Sequence, residues 1–155
     1  MQVQPLSPVP EGVRISQNEH GGYAVESVTM VRSNVTPSTQ ALKFCFSQNV
    51  PNINGTPVMN PSNTRITAQG REQVSFVVPM TMGTPLNYDM RFSFTVSKDD
   101  NSLEYYYNSI KIKGTWSDNE APLPASQDAH LYVESSLEEL EKITNNVHNC
   151  LIEES

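Results

Sequence analysis

An all-β fold is predicted by this sequence, an Ig-like antiparallel β-sandwich of about seven strands, with a partial jelly roll as the nearest rival. Three features point there. Apolar and polar residues alternate through Met90-Arg91-Phe92-Ser93-Phe94-Thr95-Val96-Ser97, the period of a half-buried strand. Turn residues recur at short intervals, at Gly21-Gly22, Pro37-Ser38, Asn54-Gly55, Pro61-Ser62-Asn63, Gly70 and Gly83-Thr84-Pro85. A helical apolar spacing stands out only in the last twenty or so residues.

The elements follow in chain order. Residues 1–12 hold Pro5, Pro8 and Pro10, and their fixed φ predicts an extended, polyproline-like arm. Residues 13–117 form the sandwich. Within it Val13 to Ile15 is a short strand, and Tyr23 to Val31, rich in β-branched residues, is a longer one at an edge or buried on both faces. Leu42, Phe44 and Phe46 alternate with Lys43, Cys45 and Ser47 and read as a further strand, as do Thr64 to Thr67 and the stripe Val74, Phe76, Val78, Met80. Met90, Phe92, Phe94 and Val96 share the core face of the central strand. Ser97 to Ser102 supplies a turn, and Leu103 to Lys113 returns as the second arm of a long hairpin. On it Leu103, Tyr105 and Tyr107 share one face, Tyr106, Ile110 and Ile112 the other, and Lys111 and Lys113 meet water. Trp116 closes the bottom of the core.

Residues 118–134 read as a linker, and 135–155 as an acidic amphipathic helix. Ser135 and Ser136, each followed three residues later by a glutamate, resemble a capping box. Leu137, Leu140, Ile143, Val147 and Leu151 form one stripe. A helix this short is marginal in water by itself, so the stripe needs cover from its own domain or from a neighbour. Tyr105 and Tyr107 carry the same alternative: core residues, or an aromatic anchor for a partner.

Charge narrows the function classes. The net charge is −7; residues 1–113 carry nine basic and eight acidic residues, residues 114–155 one basic and nine acidic. Nucleic-acid binding requires cations to replace phosphate counterions, and neither arm nor tail supplies them. The longest apolar run, Phe76 to Met80, is too short for a membrane span, and the N-terminus has no secretory-signal pattern. Cys45 and Cys150 make no CxxC pair; they read as two buried or reduced thiols, or as one bridge pinning the helix to the sheet. His20, His130 and His148 lack metal-ligand spacing, and no nucleophile elbow, P-loop or dinucleotide fingerprint occurs. No catalytic residue, metal or cofactor is expected.

The expected function is therefore a non-catalytic structural subunit of a large protein assembly, of the viral or phage capsid-associated, decoration or fibre type. It would lie in a virion, or in the cytoplasm if cellular, with other protein subunits as partners and neither nucleic acid nor membrane insertion involved. Candidate interface residues are Tyr105, Tyr107, Leu137, Leu140, Ile143, Val147 and Leu151. An adaptor module binding short peptides at a sheet edge and a secreted carbohydrate-binding or adhesin domain are the alternatives.

Overall fold

The computed structural model describes residues 3–78, 83–115 and 117–154; Met80 and Trp116, assigned above to a strand stripe and to the base of the core, lie outside them. In order come β1 (Val13–Gln17), β2 (Tyr23–Ser33), α1 (Thr39–Asn49), β3 (Asn54–Met59), β4 (Arg65–Val77), β5 (Pro85–Asp99), β6 (Ser102–Gly114), β7 (Ala121–Pro122), a 3-10 turn (Gln127–Ala129) and α2 (His130–Glu154). The strands form one antiparallel sheet in the order β1-β2-β6-β5-β4-β3, and β7 pairs with β6. The mostly β, antiparallel architecture expected from the sequence is present. What covers the sheet differs: among the described residues there is no second sheet, and α1 and α2 pack together on one face.

The central hairpin is longer than its sequence signal. β5 and β6 pair from Asp99↔Ser102 down to Tyr88↔Gly114, across a turn in which Asp100 takes a left-handed φ of 42°, tolerated by Asp better than by most residues. Met90, Phe92, Phe94 and Val96 are all buried beneath the helices, as their alternation requires. Beyond Tyr107 the simple alternation on β6 fails. A β-bulge between the Ser93↔Asn108 and Arg91↔Lys111 pairs, with Ser109 at φ 52°, adds one residue and reverses the facing. Ile110 and Ile112 therefore join the helix side, separated from Tyr106, while Lys111 and Lys113 face solvent as expected.

The segment read as the Leu42–Phe46 strand is α1. Its burial follows the helical period: Ala41, Leu42, Cys45 and Phe46 are buried while Phe44 is exposed. Ser38 begins it by accepting a 3.1 Å hydrogen bond from the Ala41 amide, which satisfies one of the free donors of the first turn. Residues 42–46 fit both periods in sequence, and two extra buried positions, Ala41 and Cys45, decide between them.

α2 begins five residues earlier than expected. Ser135 and Ser136 lie inside it; Ser135 Oγ donates to the Leu131 carbonyl at 2.7 Å, so neither residue caps the start. Residues 118–134 are not a free linker either. Leu123 and Ala125 are fully buried, the Leu123 amide donates to the Ile110 carbonyl, and the Ala125 amide to that of Tyr23. Nor does the arm stand clear. Leu6 enters the core, its amide donates to Ala125 at 2.8 Å, and the Gln127 amide donates back to Gln4 at 2.9 Å. The four segments drawn from the sequence thus share one hydrophobic core. Gly12 completes the arm's docking: at φ 80° a Cβ would stand 2.1 Å from the Thr29 carbonyl oxygen, an approach only glycine permits.

Cys45 and Cys150 form a disulfide across 105 residues. It ties α1 to α2, so the sequence expectation of a helix-to-sheet bridge is corrected in its attachment and that of two free thiols is set aside.

Candidate functional site

Every strand of an antiparallel sheet has two faces, and here the sequence spends them differently. The helix side holds all seven residues proposed as an interface. Tyr105, Tyr107, Leu140, Val147 and Leu151 are fully buried and Ile143 nearly so, while Leu137 packs at the margin of the core. They are consumed by contacts within the chain.

Three sheet tyrosines reach across this layer to α2. The Tyr88 hydroxyl lies 2.6 Å from Ser136 Oγ, that of Tyr107 is 2.8 Å from Thr144 Oγ1 and donates to the Leu140 carbonyl, and that of Tyr105 is 2.9 Å from His148 Nδ1. Residues 136, 140, 144 and 148 recur every four positions, one stripe of the helix. Burial raises all three phenol pKa values, Tyr88's against opposing hydrogen bonds from Ser135 and Ser136. Burial, followed by the positive charge of Arg32, lowers that of His148. This polar seam fixes the register of helix on sheet, because a slip would strand buried hydroxyls without partners.

Among the described residues the opposite face carries no helix. Its registers run as continuous rows across the strands. Thr29, Tyr106, Thr95, Thr67 and Val58 are successive partners from β2 to β3. Asn108, Ser93, Gln69 and Asn54 form the next row, and Val31, Glu104, Ser97 and Arg65 the row on the other side. Val31 is 56% exposed and Val58 67%. Thr67 and Thr95 share a 2.9 Å hydroxyl contact in the middle. Such a surface is amide- and hydroxyl-rich, with apolar and aromatic points, and is held by three long paired strands. Those strands pre-organise it, so a ligand need not supply ordering energy.

Two concavities lie on this face. One, of about 380 Å³, is bounded by Val58, Thr67, Thr95, Glu104 and Tyr106. The other, of about 610 Å³, sits at the β6 bulge and includes Asn52, Gln69, Arg71, Arg91, Ser109 and Lys111. Sequence reasoning placed Tyr106 away from Tyr105 and Tyr107 but missed the face as a unit. Its signal was present in the polar half of the alternation, Arg91, Ser93, Thr95 and Ser97; the cross-strand register that gathers those residues with Thr67, Gln69 and Tyr106 is absent from a linear pattern.

Among the described residues no group of three His, Cys, Asp or Glu side chains is placed to hold a metal, and no helix is long and apolar enough to cross a membrane.

Comparison with models of known protein families gives no match, and neither does comparison with curated proteins. Two solved structures share the fold. A DUF4468 family protein from Bacteroides ovatus superposes with a TM-score of 0.61 at 8% identity, over 88% of this chain and 90% of its own. A TBP-like protein from Parabacteroides distasonis gives a TM-score of 0.55 at 9% identity, over 94% and 96%. At these identities the likeness is one of fold, and it extends over most of the chain.

Proposed function

We propose that this chain is a non-catalytic subunit that works by protein–protein contact, and that the contact is made by the helix-free face of the sheet. The observation that carries the reading is the contrast between faces: one is filled by α1, α2 and the arm, while the other presents ordered rows of Thr, Ser, Asn, Gln and Tyr side chains with exposed Val31 and Val58. Tyrosine among small polar residues is the composition of adaptable binding surfaces, where a rigid ring anchors and amides and hydroxyls adjust. This relocates the assembly contacts expected from the sequence, away from the arm and the α2 stripe. The Cys45–Cys150 bridge supports an oxidising compartment, where disulfides persist, in place of the cytoplasm.

The test is to purify the protein natively from its source, determine the mass of the particle it belongs to, and repeat this with Tyr106→Asp and Val58→Asp. The reading expects a particle larger than one chain, lost in both variants although their thermal melts are unchanged. A monomer from the source, or variants that stay in the particle, would overturn it.

A further inference from the structure

We infer that the larger concavity is an oxyanion site, built to take a carboxylate or phosphate group on a small ligand. It rests on charges and register, independently of which protein the rest of the face meets.

Arg71 on β4, Arg91 on β5 and Lys111 on β6 are successive cross-strand partners. Three cations therefore stand side by side on three adjacent strands of a chain with ten Lys and Arg residues in all and a net charge of −7. Directly opposed like charges destabilise a sheet, and nothing in the core requires them, since all three side chains are exposed. The row already displays the chemistry it accepts. Glu120, just before β7, folds over it and holds Arg91 through both carboxylate oxygens, at 2.6 Å to Nε and 2.7 Å to Nη2, the fork geometry of arginine–carboxylate recognition. Glu120 answers one charge of the three. Arg71 and Lys111 flank that pair with no ion-pair partner among the described residues.

The walls fit the same ligand. Asn52, Gln69 and Ser109 add amide and hydroxyl groups. Asn52 and Ser109 both hold left-handed backbone, at φ 49° and 52°. Asn52 is fastened there by donating from Nδ2 to the Arg71 carbonyl at 2.8 Å, and Ser109 is the residue added by the bulge. Left-handed backbone is uncommon for serine, such conformations cluster at functional sites, and bulges re-aim side chains beside them. The volume, about 610 Å³, falls in the usual range of about 300–1,000 Å³ for small-ligand sites.

Titration calorimetry at low ionic strength, with amide shifts followed by NMR, tests this using inorganic phosphate and succinate as separate probes. The expected result is saturable binding of at least one probe, with shifts centred on Asn52, Gln69 and Ser109. Affinity should fall at least tenfold in an Arg71→Gln/Lys111→Gln double variant and persist in a Lys43→Gln/Lys142→Gln double variant of equal charge change, both of whose residues are exposed on the helices. Preference for phosphate or for succinate identifies which oxyanion the site serves. Equal loss in both double variants, shifts spread over the surface, or no saturable binding of either probe would overturn the inference. If the Arg71/Lys111 variant fails to fold, Ala replacement of Asn52 must reduce affinity instead, and unchanged affinity there would count against the site.

Discussion

The two faces of the β5–β6 hairpin are made from alternate residues of the same strands, yet they do opposite work. Tyr105, Tyr106 and Tyr107 show it within three positions. Tyr105 and Tyr107 are buried and bonded to α2, while Tyr106 looks outward between Thr29 and Thr95. Identical side chains thus become core or surface by parity alone. The helix face is specific because it is packed and its polar atoms are paired. The open face is ordered because the strands beneath it hold its side chains in fixed rows. Stability should therefore be concentrated on one side and recognition on the other, and substitutions can set the two apart.

The largest expected effect is Leu140→Asp. Leu140 is fully buried in the stripe that α2 lays on the sheet, and an unpaired carboxylate there cannot be accommodated; the domain should be unfolded by circular dichroism at room temperature. Phe94→Ala comes next. The Phe94 ring lies between Phe46 of α1, at 5.4 Å, and Tyr107, at 4.2 Å, and its removal should cost about 3–5 kcal/mol in chemical denaturation. Thr95→Ala, its neighbour on the open face, should change stability by less than about 1 kcal/mol. Equal losses would erase the distinction between faces.

Reduction of the disulfide should be comparable to Phe94→Ala or somewhat smaller. A link spanning 105 residues restricts the unfolded chain enough that a Cys45→Ser/Cys150→Ser variant should lose about 2–5 kcal/mol, read as a lower denaturation midpoint with the fold retained.

The smallest effect is a pH dependence at the helix–sheet seam. The pKa of His148 is lower in the folded chain than its ordinary value of 6.5, so the unfolded chain binds the proton more readily and stability rises with pH. The contribution is complete above that ordinary value and is lost as pH falls from it through the folded pKa. Thermal melts taken between pH 7 and pH 5 should decline more for the wild type than for His148→Gln. Glu139, whose pKa burial raises, has the opposite sign and is common to both proteins, so it cancels in the comparison.

What could be read from the sequence divides along physical lines. Local periodicity was sufficient for the core face of β5, for most of the turns and for the apolar stripe of α2, because each is decided by neighbours in the chain. It failed for α1, where Leu42 to Phe46 satisfies both periods, and at Ser109, where one inserted residue reverses a strand's facing. Long-range features left little local mark, the Cys45–Cys150 bridge entering only as one of two readings of the cysteines. The docking of Leu6 against Ala125, the bridge from Cys45 to Cys150, and the row joining Arg71, Arg91 and Lys111 each depend on register between segments distant in sequence. The stripe of Leu137, Leu140, Ile143, Val147 and Leu151 was legible for a local reason and its cover by the sheet of its own chain was not: an apolar stripe announces that it needs cover but not whose.

The most direct measurement is side-chain labelling of the particle purified from its source, against the free chain, with reagents for carboxylates and tyrosines. The account predicts that Tyr106 and Glu104 on the open face lose reactivity in the particle while Glu138 and Glu141 on the outer side of α2 keep theirs. Protection of Glu138 and Glu141 with Tyr106 and Glu104 equally reactive in both states would contradict it.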